Sequence, residues 1–457
     1  MLRRVLLALI ALALASVQAH AQLLPGRAPG FRPGFQFIGG AGGFPASGAV
    51  LDYDFKGDRY SGPAISVSRA SPAYIDDSAG NWTLVAANAL RRSDKGALIE
   101  GAQTNSVRNN SMQGAVAGSP GTLPNLWVAS LGSAALSRQV VGVGTLNGVD
   151  YIDLRVFGTA SNSGAWLPLN LQFESAGAVA AATGQLWTIS AFVQLVAGSL
   201  PSNVQLELEE LTSSNANVRY NAKLITPDNT FRRYEFNSTL SGGSTTAGVR
   251  PGIWIYGPTT ANVPIDFTIR VGWPQLEQWS SAITTVGGAS SPIRTTGTAA
   301  TRAADAVSAS LTGFSVPLTV AGVIRSAPFA LAGAAVPARI GTSSTASYRT
   351  LLNAAGGSVV GGETGSAGVD LGAQPSAGTR FAFAFAGDAA GQSGSLNGGA
   401  VVGIATGLTA GHTFLGIGGN GDGSAQTYGY IERLALWPYR AANDNVRTYG
   451  TLSNWGG

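Results

Sequence analysis

The sequence contains no cysteine, which excludes disulfide bonds and thiolate metal sites as stabilising devices. Histidine is almost as scarce. Of the two, His20 lies in the N-terminal leader and His412 stands alone in a Gly-rich stretch. A Ser-His-Asp triad would have to be built on His412, and no Gly-x-Ser-x-Gly elbow at a strand-to-helix turn accompanies it. Charged residues make up 11% of the chain, less than half the usual share of about a quarter. The surface must therefore be built largely from Ser, Thr, Asn and Gln. The formal charge of +4 is spread thinly, and pairs such as Arg91-Arg92 and Arg232-Arg233 do not make a nucleic-acid footprint. Long amphipathic helical patterns are missing too, apart from a turn or two near Ala441 to Thr451.

What is present is glycine, 63 residues of it, together with 45% hydrophobic residues. That combination argues against disorder, which needs low hydrophobicity and high net charge. A length of 457 residues suits two or three domains, each with its own core. The leader has Arg3 and Arg4, an apolar run from Val5 to Ala15 and a small-x-small site at Ala19-His20-Ala21, so it reads as a secretory signal peptide, residues 1–21, cut after Ala21. No later segment is a membrane candidate. Residues 22–50 are Gly, Pro and Phe with no period and read as an arm or linker.

Period-two runs dominate the rest. In "LWTISAFVQLV", Trp187, Ile189, Ala191, Val193 and Leu195 share one face. In "VQLELEEL", Val204, Leu206 and Leu208 alternate with Gln205, Glu207 and Glu209. "IDFTIRVGW" places Ile265, Phe267, Ile269 and Val271 inward, and "RFAFAFAG" and "GYIERLALWPY" repeat the scheme near the C-terminus. Turn-rich spacers separate these runs, so the expected fold is all-β, two successive antiparallel β-sandwiches at 105–285 and 305–457 joined by a linker at 286–304. Residues 51–104 differ. "AYID" and "NWTLVA" flank the turn "DSAG" as a hairpin, "GALIE" adds a short strand, and charges crowd together. So small a piece cannot bury its own apolar face. Ile75, Leu84, Val85, Leu98 and Ile99 are expected to dock it as an adaptor on a neighbouring domain or subunit, with Arg91, Arg92, Asp94, Lys95 and Glu100 as a polar docking rim. The alternative is that it supplies the first strands of the 105–285 sandwich.

Candidate chemistry is sparse. Glu207 and Glu209 project from one strand face about 7 Å apart, near the range of glycosidase acid–base pairs, yet with Glu210 beside them they read as an exposed polar face. "GGNGDGS" sets Asn420, Asp422 and Ser424 at alternate positions, oxygen ligands of the kind calcium prefers, although the loop reads equally as a hairpin connection. No other cofactor is expected. Aromatic platforms are the favoured binding chemistry, because sugar rings pack their C–H faces on Trp and Tyr. In "GIWIYG", Ile253 and Ile255 take one face, and Trp254 and Tyr256 the other. Trp127 and Trp166, in loop-like Pro-containing contexts, are comparable glycan-binding candidates, whereas Trp187 and Trp437 should be core.

"RASPAYID" followed by "GALIEGAQTN" resembles the module that precedes a carbohydrate-binding-like jelly roll in bacteriophage tail-fibre and head-spike proteins. "GWPQLEQW" and "TRAAD" resemble the end of that jelly roll and the entry to a laminin-G/concanavalin-like sandwich, whose last strands "SLNGGAVV", "FLGIGG" and "IERLALWPYR" resemble. The resemblance implies a non-enzymatic fibre, spike or decoration protein on a virion or phage-like particle. It would attach to cell-surface polysaccharide, contact other virion or particle proteins and form a homo-oligomer. The leader points instead to a secreted bacterial surface or matrix protein built from the same modules. A secreted polysaccharide-degrading enzyme is the third reading.

Overall fold

Alternating side chains dictate the layers of this chain, and the Phe-Ala run shows how. In the strand Arg380–Gly387, Phe381, Phe383 and Phe385 point into a sandwich core. Ala382, Ala384 and Ala386 point the other way, beneath the C-terminal helix Asn443–Tyr449. Small residues on that face leave room for a second layer, in which Trp437 stacks on Tyr449 with ring centroids 4.6 Å apart. The computed structural model describes residues 48–160, 168–174, 179–243, 245–258, 262–280, 287–331, 334–341, 347–353, 358–363, 368–408 and 411–456. The expected signal peptide, most of the Gly/Pro arm and Trp166 lie outside the described residues.

Two antiparallel sandwiches are present, as expected. The first faces a five-stranded sheet, with Val263–Trp279 at its centre, against a six-stranded sheet whose strand order is Asn217–Ile225, Val204–Leu211, Gly248–Ile255, Leu169–Gln172, Val128–Ser130, with Val179–Ala180 also paired to Gly248–Ile255. The inward residues expected from periodicity, including Trp187, Ile189, Leu206, Leu208, Phe267 and Ile269, form one buried cluster between the sheets. The second sandwich packs a nine-stranded sheet against a seven-stranded one around the Phe381–Phe385 core.

The domain boundaries differ from expectation, and the difference is topological. Residues 51–104 form no separate adaptor and do not start the jelly roll. Leu51–Asp54 pairs with Gly429–Trp437, joining Leu51 to Leu436. Gly96–Ile99 pairs with the same strand, and Ile65–Ser68 pairs with Ala306–Ser310. These segments therefore build both sheets of the second sandwich, and the jelly roll is an insertion between its early and late strands. Only the hairpin of Ala73–Asp76 and Trp82–Val85 behaves as a docking piece. Its Tyr74 and Trp82 cover Trp273 and Phe192 on the outer face of the five-stranded sheet. Ile75, Leu98 and Ile99 are buried as expected, whereas Leu84 is 53% exposed.

The expected linker 286–304 is also redefined. Ser290, Ser291, Ile293 and Thr295 are buried, and neighbouring amides hold their backbone. Asn105 Nδ2 donates to Ile293 O at 3.0 Å, while Asn110 Oδ1 accepts from the Thr295 N–H at 2.7 Å. This seam binds the sandwiches together. Trp279 from the first reaches into the core of the second, against Phe329 and Tyr428.

The charges expected to form a docking rim divide in two. Arg91 and Glu100 are buried within the chain: Arg91 Nη1 donates to Glu100 Oε2 at 2.6 Å and its Nη2 to Asp305. Burial would raise the Glu100 carboxyl, but Arg302, Arg91 and the Ser291 hydrogen bonds outweigh it and hold the group down at about 2. Arg92, Lys95 and Asp94 lie nearer the surface, on Asp58, Asp76 and Ser78.

Candidate functional site: the outer face of the six-stranded sheet

Strand register assembles this face in rows. Leu224, Gln205, Trp254, Asn170 and Ser130 face one another across five strands. Ala222, Glu207, Gly252, Gln172 and Val128 form the next row, and Tyr220, Glu209 and Arg250 the third. All lie opposite the core, because Leu206, Leu208, Ile253 and Ile255 fill the inner face. The alternation expected in "GIWIYG" is therefore observed. Gly252 leaves the middle row without a side chain between Glu207 and Gln172, and a Cβ there would meet Leu171 O at 2.7 Å.

Trp254 is on this face but is not the open platform expected. It is only 8% exposed, because the Tyr220 ring packs on it edge to face with centroids 4.9 Å apart. Tyr220 itself is 54% exposed and was not anticipated; its signal was the alternation of Tyr220, Ala222 and Leu224 along one strand. Tyr256 is half-buried. Trp127 is no surface residue. It lies in the core against Phe173 with Nε1 donating to Asn109 O at 2.8 Å, so the loop-like context misled. Trp187 and Trp437 are core, as expected.

The carboxylates overturn the expectation of an exposed polar face. Glu207 is 1% and Glu209 5% exposed. Arg250 donates to Glu209 Oε2 through Nε at 2.8 Å and Nη2 at 2.6 Å, and Asn217 Nδ2 donates to Oε1 at 3.0 Å. Glu210 turns to the end of the sandwich, accepting from Ser241, Gly242, Thr246 and Asn221. Glu207 has neither device: both its carboxyl oxygens are buried without a hydrogen-bond partner. Trp254 stands opposite Gln205 and Tyr220 opposite Glu209, so the line between their touching rings crosses the middle strand at Glu207. The two aromatics roof the carboxyl. Burial, and secondarily the Glu209 charge, push it up to about 8.

That elevation has a measurable sign. Glu207 ionises near its ordinary 4.5 when unfolded and near 8 when folded. Its favourable contribution is thus fully present below about pH 4.5 and lost as pH rises through 8. We expect Glu207→Gln to match the parent in urea unfolding at pH 4 and to exceed it by roughly 2–4 kcal/mol at pH 9.

The calcium alternative fares poorly. Arg339 Nη1 donates to Asn420 Oδ1 at 2.5 Å, and Asp422 Oδ1 accepts from the Ser424 amide and hydroxyl at 2.9 and 2.6 Å. These oxygens close the loop on itself beside a guanidinium. Among the described residues, no three His, Asp or Glu side chains gather as a metal site.

No family model and no curated protein matches the chain. Solved structures with similarity include a CBM4 module, at 14% identity and TM-score 0.25 over 38% of this chain and 100% of its own. The CBM22-1 xylan-binding domain of Paenibacillus barcinonensis Xyn10C aligns at 13% identity and TM-score 0.24, over 39% of this chain and 96% of its own. The enzymatically active domain of bacteriophage CBA120 tailspike protein 4 aligns at 11% identity and TM-score 0.22, over 38% of this chain and 21% of its own. Superpositions this loose carry no functional argument.

Proposed function

We propose that this protein is a non-enzymatic glycan-attachment protein whose first sandwich holds a polysaccharide across the outer face of its six-stranded sheet. The carrying observation is the exposed Tyr220 ring packed on Trp254, with half-buried Tyr256 just past the end of the Trp254 strand, the amides Gln205 and Asn170 in the row of Trp254 and Gln172 in the next row. Aromatic faces take sugar C–H surfaces, and amides take the hydroxyls. A non-enzymatic role is favoured because Glu209 is locked by Arg250 and Asn217, leaving no free carboxylate beside Glu207 to act as a base. The resemblance of "RASPAYID" and "GALIEGAQTN" to phage fibre and spike proteins makes a virion or phage-like particle the favoured setting, with the particle's other proteins as partners.

The test is binding of the parent and the Trp254→Ala/Tyr220→Ala pair to host-envelope polysaccharide, with reducing-sugar release followed alongside. Loss of about 1–3 kcal/mol of affinity in a folded variant, with no sugar released, is expected. Unchanged binding would remove this face from the reading, and sugar release would restore the enzyme alternative. Banding with virions on a density gradient distinguishes a particle protein from a secreted matrix protein.

A further inference from the structure

A buried carboxyl with no partner is costly, and native structures rarely keep one without a use. Glu207 is such a group, and it stands in the middle of the face to which carbohydrate binding is assigned above. Its covers are unequal. Trp254 is held on the inner strand Gly248–Ile255, whereas Tyr220 is on the edge strand Asn217–Ile225 and over half exposed. Rotating Tyr220 outward would open the space over Glu207 without disturbing the core. Asn170 Oδ1, in the row of Trp254, is also buried without a partner, so a second orphaned polar atom lies on the strand beside Trp254, in the row next to that of Glu207.

We propose that Glu207 is the residue that reads the sugar: Tyr220 swings off Trp254, a ring of an uncharged polysaccharide takes its place, and the protonated Glu207 carboxyl donates its O–H to one sugar oxygen while its carbonyl oxygen accepts from a neighbouring hydroxyl. Asn170 Oδ1 accepts from a second hydroxyl. This inference rests on the glycan-face reading and adds the polar half of recognition and its pH dependence.

The charges around the group favour an uncharged ligand. Its own strand contributes Glu209, already neutralised by Arg250 from the adjoining strand. The edge strand contributes Tyr220, the end of the Gly248–Ile255 strand leads to Tyr256, and Leu169–Gln172 contributes only amides. No unpaired cation is available among these for an acidic sugar. Ionising Glu207 removes the donor and sets an uncompensated anion beside Glu209. The elevation of its titration to about 8 fits this placement, as do the raised Tyr220 and Tyr256 phenols, which are pushed up first by burial and then by nearby charge, Glu209 and Glu207 on Tyr220 and Glu207 on Tyr256.

The full chain should be titrated at pH 6 and pH 9.5 with mixed-linkage β-glucan, arabinoxylan and galactomannan as neutral probes, and alginate and polygalacturonate as acidic ones. The expected result is binding to at least one neutral probe, at least tenfold weaker at pH 9.5, with the acidic probes bound more weakly at both. Glu207→Gln should bind within a few-fold of the parent at pH 6 and lose the pH dependence, while Glu207→Leu should lose tenfold or more at pH 6 with its unfolding transition intact. A parent that binds equally at both pH values, or a folded Glu207→Leu that binds normally, overturns the role of Glu207 and leaves the face reading standing. Unchanged binding by Trp254→Ala/Tyr220→Ala overturns the face reading, and no binding to any probe at either pH overturns both.

Discussion

Replacing Asp305 with alanine is expected to lower the unfolding free energy by about 3–5 kcal/mol, the loss typical when one member of a buried ion-pair network is removed. Asp305 Oδ1 accepts from Arg69 Nη1 at 2.9 Å, Oδ2 accepts from Arg91 Nη2 and from the Glu100 N–H, and all three arginines of the cluster are 0–1% exposed. Without the carboxylate, Arg69 loses its one acidic partner among the described residues and Arg91 keeps Glu100, so positive charge is left uncompensated in the seam between the sandwiches. The comparison is Asp266→Ala, which breaks a solvent-screened pair with Arg155 whose side chains are 57% and 37% exposed, and which should cost far less than Asp305→Ala. Denaturant unfolding of both variants at neutral pH gives the contrast. Acid should act on the same seam. Glu100 is held at about 2 in the fold against 4.5 unfolded, so its contribution is complete above about pH 4.5 and is lost as pH falls toward 2. Equal, small losses in the two variants would show that the cluster does not hold the seam.

The layers of this fold were legible because alternation is a local signal. Phe381, Phe383 and Phe385 against Ala382, Ala384 and Ala386 already separate a core face from a face that must accept another layer. Pairing across the whole chain leaves no such trace. Nothing near Leu51 announces Leu436 as its partner, so an unusually polar stretch that could not fold alone was read as an adaptor when its strands finish a distant sandwich. The charges misled for the same reason. Arg91 and Glu100 look like a solvated rim in sequence, and only the convergence of Arg69, Arg302 and Asp305 from far along the chain turns them into a buried latch. At the candidate site, periodicity placed Trp254 on the correct face, but its roofing ring comes from the edge strand two strands away. Glu207 read as exposed because alternation assigns a face and cannot report what covers it.

Removing residues 1–104 is expected to abolish the second sandwich. The cut takes out Leu51–Asp54 and Gly96–Ile99, which pair with successive parts of the strand Gly429–Trp437 along its edge away from Leu318–Arg325, and Ile65–Ser68, which ends the seven-stranded sheet. Leu51, Tyr53, Phe55 and Ile99 are fully buried in its core. At about 1.5–3 kcal/mol for each large side chain, their loss is roughly 6–12 kcal/mol, comparable with the 5–15 kcal/mol that holds a typical domain together. The backbone of Gly429–Trp437 would also be left as an unpaired, apolar edge, the kind that drives association. The 105–457 fragment should therefore be insoluble, or soluble with the Trp437 environment lost in near-ultraviolet circular dichroism. A narrower deletion separates this from a general effect of truncation. Replacing only the hairpin 73–85 with a short Gly-Ser link uncovers Trp273 and Phe192 on the first sandwich and removes no strand from either sheet of the second, so the Trp437 signal should survive. A soluble 105–457 fragment with a native Trp437 spectrum would mean that the early strands are appended to a sandwich complete without them. That outcome would restore the adaptor that the sequence first suggested.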